Sequence, residues 1–256
     1  MRKFFTIASL FALALSACSK ESAKGDEKGE GQVSISCVTT TVVDDTRANV
    51  SCTTPAAEDF SLKIDGVDHT YTASYATIAE FNSGDNYLHN GTFTATVSAG
   101  DIAEEGYDKA TFAGSAEFAV KPRKNTEVEV TATIANALVK VEVTDNFKMY
   151  FEGGHTLKLT TAAGNEFDVT EQTEPLFIAP ESFTVSGTAV KQPNQSGAEG
   201  TTVTLPEYKN SEAKAQTLYT VKLDVENAGS AQLTITLNET LVESIDIEQE
   251  LNDNAK

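Results

Sequence analysis

The sequence predicts an all-β protein: two consecutive antiparallel β-sandwich domains of Greek-key type, placed after a signal peptide and a flexible tether. Three observations predict it. Apolar residues recur at every second position in short runs, and these runs are bounded by Gly, Pro, Asn or charged residues. No long stretch keeps the 3.6-residue apolar rhythm of an amphipathic helix, and no helix-length crossover separates the runs, which argues for sandwiches rather than parallel sheets. Composition agrees, because Thr and Val, which fit a pleated half-buried surface, are abundant while Trp is absent. The expected organisation is a signal peptide over 1–17, a tether over 18–31, a first sandwich over 32–136 and a second over 137–256, each sandwich long enough to bury a core.

The N-terminus opens with Met1-Arg2-Lys3, continues through a mostly apolar stretch from Phe4 to Leu15, and closes on Leu15-Ser16-Ala17-Cys18. A basic start, a short apolar core and small residues before a cut mark a secretory signal, and the stretch is too short to span a bilayer. The small-small-Cys ending resembles the lipobox of bacterial lipoproteins, which implies a diacylglycerol-modified, N-acylated Cys18 as the first mature residue. Several acyl chains anchor far more strongly than one, since each buried methylene contributes about 0.8 kcal/mol. Ser19 to Gly31 holds no apolar residue larger than Ala and reads as a solvated tether. Its Lys20-Glu21 pair resembles the charged signals that send Bacteroidota lipoproteins to the outer face of the outer membrane; a plain linker accounts for the same residues.

Alternation then sets the strands. Val33, Ile35 and Cys37 share one face, and Phe60, Leu62 and Ile64 repeat the pattern before Asp65-Gly66, a hairpin signal. Phe93-Ala95-Val97, Phe118-Val120 and Val128-Val130-Ala132-Ile134 follow, with Ser74 to Phe81 readable as a short helix or a strand. After Ala135-Asn136-Ala137 a second set runs through Val139-Val141-Val143, Leu157-Leu159, Phe183-Val185, Tyr219-Val221-Leu223-Val225 and Leu233-Ile235-Leu237. With no Pro, Ser or Gly linker between Ile134 and Val139, the two sandwiches are expected to abut. Gln192 to Gly200 is rich in turn formers and reads as a surface loop.

Charge narrows the partners. The full chain carries −19, and removal of residues 1–17 takes away two basic residues and no acid, leaving 17 basic against 38 acidic residues and −21. Such a chain repels nucleic acid and anionic headgroups, so its membrane contact is expected through the acyl chains on Cys18 alone. Cys37 and Cys52 are the remaining cysteines of an exported chain and form a candidate disulfide. A two-residue turn at Asp44-Asp45 would set them opposite each other, whereas a longer turn through Thr46-Arg47-Ala48-Asn49 would shift the pairing and leave two buried thiols.

Catalytic and cofactor motifs are absent from the sequence: no Gly-x-Ser-x-Gly, no His-Glu-x-x-His, no phosphate-binding glycine loop and no Cys-x-x-Cys. His69, His89 and His155 are scattered beside turns or strand ends. Asp65, Asp68 and His69 read more simply as a polar turn than as metal ligands, and Glu104 with Glu105 is one acidic pair among many. No enzyme activity, cofactor or metal is therefore expected.

An ordered series of pieces carries a family resemblance over most of the chain from about Gly31. It comprises Thr46-Arg47-Ala48, Asn90 to Val97, Gly106 to Gly114 leading into Phe118-Ala119-Val120, Ile134 to Val141, Asp145-Asn146-Phe147 and Leu176-Phe177-Ile178-Ala179-Pro180. Together behind a lipobox these resemble lipid-anchored Bacteroidota surface proteins of a domain-of-unknown-function family, loosely related to fimbrillin-like adhesion lipoproteins. The resemblance implies two β-sandwiches at the outer-membrane surface, and a non-enzymatic role in adhesion or surface assembly, with a loop or sheet edge making the contact. In fimbrillins an arginine-directed protease trims the leader and a neighbour's strand fills the groove, which singles out Arg47 as a candidate processing site; the plain alternative is an ordinary surface arginine. The other readings are a glycan-binding lipoprotein of a nutrient-uptake system, using Tyr71, Tyr75, Tyr87, Tyr107 or Tyr208 to stack sugars, and thirdly a surface hydrolase. The expected partner beyond the membrane is another surface protein or a glycan.

Overall fold

A computed structural model describes residues 29–42, 50–191, 200–226, 232–237 and 247–250, the last two spans as strand backbone. The signal peptide, Cys18, most of the tether, the Asp44-Asp45 turn, Arg47 and the loop from Gln192 to Glu199 lie outside the described residues. The chain is all-β, as its periodicity predicts, with its sheets curled into a sandwich-like arrangement.

The first half runs β1 (Glu30–Thr39), a 3₁₀ turn (Ala57–Asp59), β2 (Ser61–Gly66), β3 (Thr72–Tyr75), α1 (Ile78–Ser83), β4 (Tyr87–His89), β5 (Gly91–Ala99), β6 (Phe112–Val120) and β7 (Asn125–Ile134). These seven strands form one sheet in the order β3-β2-β5-β6-β7-β1-β4. The sheet folds over at β7, which pairs with β6 only through Phe112 and Ala113 and then runs along β1 from Asn125 to Ala132. Gly114 permits the corner, because a Cβ there would lie 2.1 Å from the Thr131 carbonyl oxygen. The inward alternate residues of the two layers, Leu62, Ile64, Phe93 and Val97 against Val33, Ile35, Val128 and Val130, fill the first core.

The second half runs β8 (Ala137–Val143), α2 (Asp145–Tyr150), β9 (His155–Thr161), β10 (Glu166–Asp168), β11 (Leu176–Ile178), β12 (Phe183–Val190), β13 (Thr202–Thr204), β14 (Tyr208–Asn210), β15 (Leu218–Glu226), β16 (Gln232–Leu237) and β17 (Ile247–Glu250). One sheet has the order β11-β8-β15-β16-β17; the other is β10-β9-β12, with β13 and β14 both on the far side of β12. Val139, Val141, Val221 and Leu223 meet Leu157, Leu159, Phe183 and Val185 in the second core, and Phe147 and Phe151 close one end.

Three expectations change. The sheets are not wholly antiparallel: β1 pairs in parallel with β7, and β8 in parallel with β15. Period-two alternation records which face a residue takes and says nothing of strand direction. Asp65-Gly66 is not the tip of a two-residue hairpin; both residues stay in β2, Asp65 opposite Thr72, and the connection runs through Val67 to Tyr71. Ser74 to Phe81 is strand and helix in turn, because Thr77 caps α1 by accepting from the Glu80 N–H at 3.0 Å while the Glu80 carboxylate accepts from Ala76 N–H. A similar Thr144 cap, accepting from Phe147 N–H, starts the unexpected α2.

The halves share a wall. In β8, Ala137 and Val139 enter the second core while Leu138 enters the first; in β11, Leu176 and Ile178 enter the second while Phe177 enters the first. Leu138 is opposite both Phe177 and Leu218, so the three form one cross-strand row that backs the first core. Phe177, 2% exposed, is the largest member. Phe177→Ala is expected to cost about 3–5 kcal/mol and to lower both halves in a single urea transition; a lone second-half transition shifted by itself would show that the wall does not couple them.

Candidate functional site

A loop between β5 and β6 locks the halves by polar contacts as well. The Glu105 carboxylate accepts from Thr161 hydroxyl at 2.7 Å, from Asn165 Nδ2 at 2.8 Å and from Ala179 N–H at 2.9 Å, all in the second half. Gly106 and Phe177 exchange two backbone hydrogen bonds, at 2.9 and 3.1 Å. Asp108, held at φ +52°, turns back and accepts from the Thr53 N–H and hydroxyl at 2.9 and 3.0 Å. Glu104 pairs instead with Lys109 at 2.9 Å, so Glu104 and Glu105 serve separate structural contacts and do not face one cleft.

The two cysteines are free thiols, Cys37 buried and Cys52 half-buried. Val50 N–H bonds the Thr41 carbonyl, a register in which position 52 falls level with Thr39 and not with Cys37, so the candidate bridge is not formed. Burial pushes both thiols up, and for Cys52 the nearby Asp108 charge adds to the effect, which keeps the sulfur in its unreactive form. Cys52 and Asp108 line a recess of about 500 Å³ at the seam with Glu174, Phe177 and Leu218.

The sheet brings two of the scattered histidines together. The His69 and His89 rings lie 4.6 Å apart and both pack on Phe93, at 4.8 and 5.3 Å. Both His69 ring nitrogens are buried without a hydrogen-bond partner. The ring occupies space that side chains at Gly66 and Gly91 would take, since their Cβ atoms would fall 1.8 and 2.7 Å from its nitrogens. His155 packs separately on Phe147. Among the described residues no group of three or more His, Cys, Asp or Glu is arranged to hold a metal ion.

Of the five tyrosines, Tyr208 is buried against Phe183, and Tyr71 and Tyr75 pack half-buried on Phe93 and Phe81. Burial, then Tyr75, push the Tyr71 hydroxyl up to about 12. Tyr87 and Tyr107 remain 53% and 43% exposed. Tyr107 reaches across the seam and donates to the Asp168 carbonyl at 3.4 Å. Asp168 borders a groove of about 610 Å³ on the outer side of the β10-β9-β12-β13 sheet. Nothing in the period-two pattern distinguishes this outer face from any other solvated one, so sequence reasoning passes over it.

These features describe a two-core β protein whose described surfaces form recesses and grooves. The chain belongs to the family of the domain of unknown function DUF4493, whose model matches residues 29–253. The ordered pieces thus point to the right kind of family. No curated protein matches the sequence. Similar solved structures include a candidate cell adhesion protein from Bacteroides eggerthii, at 10% identity and TM-score 0.40, covering 78% of this chain and 87% of that one. Another, from Bacteroides ovatus, has 11% identity and TM-score 0.40 over 85% and 98% of the two chains. Candidate polysaccharide-binding proteins from Bacteroides thetaiotaomicron show 6% identity and TM-score 0.36 over 84% and 97%. Likeness at this level transfers no role.

Two outcomes follow. Gly66→Ala is expected to cost about 1–3 kcal/mol through overpacking, and a double-mutant cycle with His69→Ala should return a favourable coupling; additivity within error would show that the ring does not fill that space. Hydrogen bonds from Thr53, its N–H first, hold the Asp108 carboxyl below the usual value of 3.8. A depressed carboxylate stabilises the fold above its unfolded value and loses that contribution as pH falls through its folded one. Wild type and Asp108→Asn should therefore differ most in urea stability at neutral pH and converge below pH 3.8; a gap that persists in acid contradicts this.

Proposed function

We propose that this chain is a non-enzymatic lipoprotein of the outer-membrane surface, anchored through Cys18 and acting in adhesion or surface assembly. The observation that carries the reading is the Leu15-Ser16-Ala17-Cys18 ending behind a short basic-apolar signal. Two structural facts support it. Eleven residue steps separate Cys18 from Gly29, a contour of at most about 40 Å, so the body is held close to the membrane that bears the anchor. The two halves, 32–136 and 137–256, are taken as two domains acting as one stiff unit, because a shared row of side chains and the Glu105 clasp join them.

Arg47 belongs to the same proposal as a processing site. The described strand β1 lies between Cys18 and Arg47, with Val33 and Ile35 in the first core. A cut after Arg47 would leave the body tied to its anchor only by the pairing of β1 with β7 and its neighbours.

Protease shaving of intact cells, with N-terminal mass spectrometry of shaved and unshaved protein, tests both parts. Loss on shaving together with an acylated Cys18 in the control is expected. Survival on intact cells with digestion after lysis would overturn the surface assignment, and an N-terminus found only at Cys18 would remove Arg47 from it.

A further inference from the structure

We propose that the groove on the outer face of the β10-β9-β12-β13 sheet binds a neutral oligosaccharide, which names the partner for the surface-contact reading above and rests on it. Strand register builds the site. Thr156 is opposite Thr188, and Thr188 opposite Thr204, so three hydroxyl side chains form one row across β9, β12 and β13 at the strand spacing of about 4.8 Å. The next row is Asp168, Lys158 and Ser186, again directly opposite one another. All six line the groove.

The chemistry of these rows suits sugar hydroxyls, which donate and accept at closely spaced points. Ser and Thr hydroxyls do both, and an ionised carboxylate accepts twice. Hydrogen bonds from the Thr170 hydroxyl and N–H hold the Asp168 carboxyl below its usual range, so it is present as an acceptor at neutral pH. Thr156 and Thr188 hydroxyls lie 2.9 Å apart and bond each other, which orients both. Tyr107, brought over from the other half and resting on the Asp168 carbonyl, offers an exposed ring at the rim, where an aromatic face can stack on the C–H face of a pyranose. The volume of about 610 Å³ lies within the range of small-ligand sites.

Charge decides which sugars. Lys158 is neutralised by Glu166 at 2.6 Å, leaving Asp168 as the uncompensated charge of the lining. A chain of −19 around it repels uronates and other acidic glycans further.

Isothermal titration of the full chain with neutral trisaccharides of glucose, mannose, galactose and N-acetylglucosamine, and with trigalacturonate, tests the proposal. At least one neutral sugar is expected to give saturable heat and trigalacturonate none. Ser186→Phe, which fills the groove from a solvent-facing position, should weaken binding by roughly tenfold or more, and Asp168→Asn and Tyr107→Ala by several-fold, with unchanged far-UV circular dichroism confirming the fold. No saturable heat from any neutral sugar, binding that survives Ser186→Phe, or equal binding of trigalacturonate would each overturn it. The titration needs no membrane and the shaving experiment needs no sugar, so failure of the groove and failure of the surface assignment are read separately.

Discussion

The row Phe177, Leu138 and Leu218 is the contact on which the rest of the molecule depends. A sheet normally gives one face to a core and one to solvent. Here β8 and β11 are buried on both faces, because the first core uses the back of the second half's sheet as its lid. Removing that lid would expose apolar side chains of the first core to water, at about 25 cal/mol for each Å² uncovered. The polar contacts of Glu105 and the Gly106–Phe177 backbone pair sit beside the row and fix the rotation of one half against the other.

That fixed rotation is also what builds the groove's rim. Tyr107 belongs to the first half and Asp168 to the second, and they touch only because Glu105 and Gly106, the residues just before Tyr107, are tied to the second half. A hinge between the halves would leave the hydroxyl rows intact and separate the aromatic ring from them. Rigidity at the seam and the proposed sugar contact are therefore one structural property seen at two places.

Each half opens on a strand that pairs in parallel with a later one, β1 with β7 and β8 with β15. Parallel neighbours require a long connection, and in both halves that connection holds most of the half's strands. The edge of β1 shows how closely its surroundings are fitted: the Asn82 side chain accepts from Ile35 N–H at 3.0 Å and donates to the Ile35 carbonyl at 2.7 Å, standing in for a strand residue where β4 has ended. The second half repeats the device, with Gln172 accepting from Val141 N–H and donating to the Val139 carbonyl.

By itself the sequence determined the class of fold, the positions of the longer strands and the face each presents, because burial of alternate residues is a local property written in Val33-Ile35-Cys37 or Val128-Val130-Ala132. It also carried the family. Strands of three or four residues, such as β4, β10 and β13, are too short for alternation to register, and the Thr77 and Thr144 caps were legible only as isolated side chains. Strand direction, the register that separates Cys37 from Cys52, the pairing of His69 with His89, and the double burial of Leu138 and Phe177 were decided by tertiary structure. Each depends on which distant segment lies alongside, and residues far apart in the chain acquire that neighbour only when the sheets close.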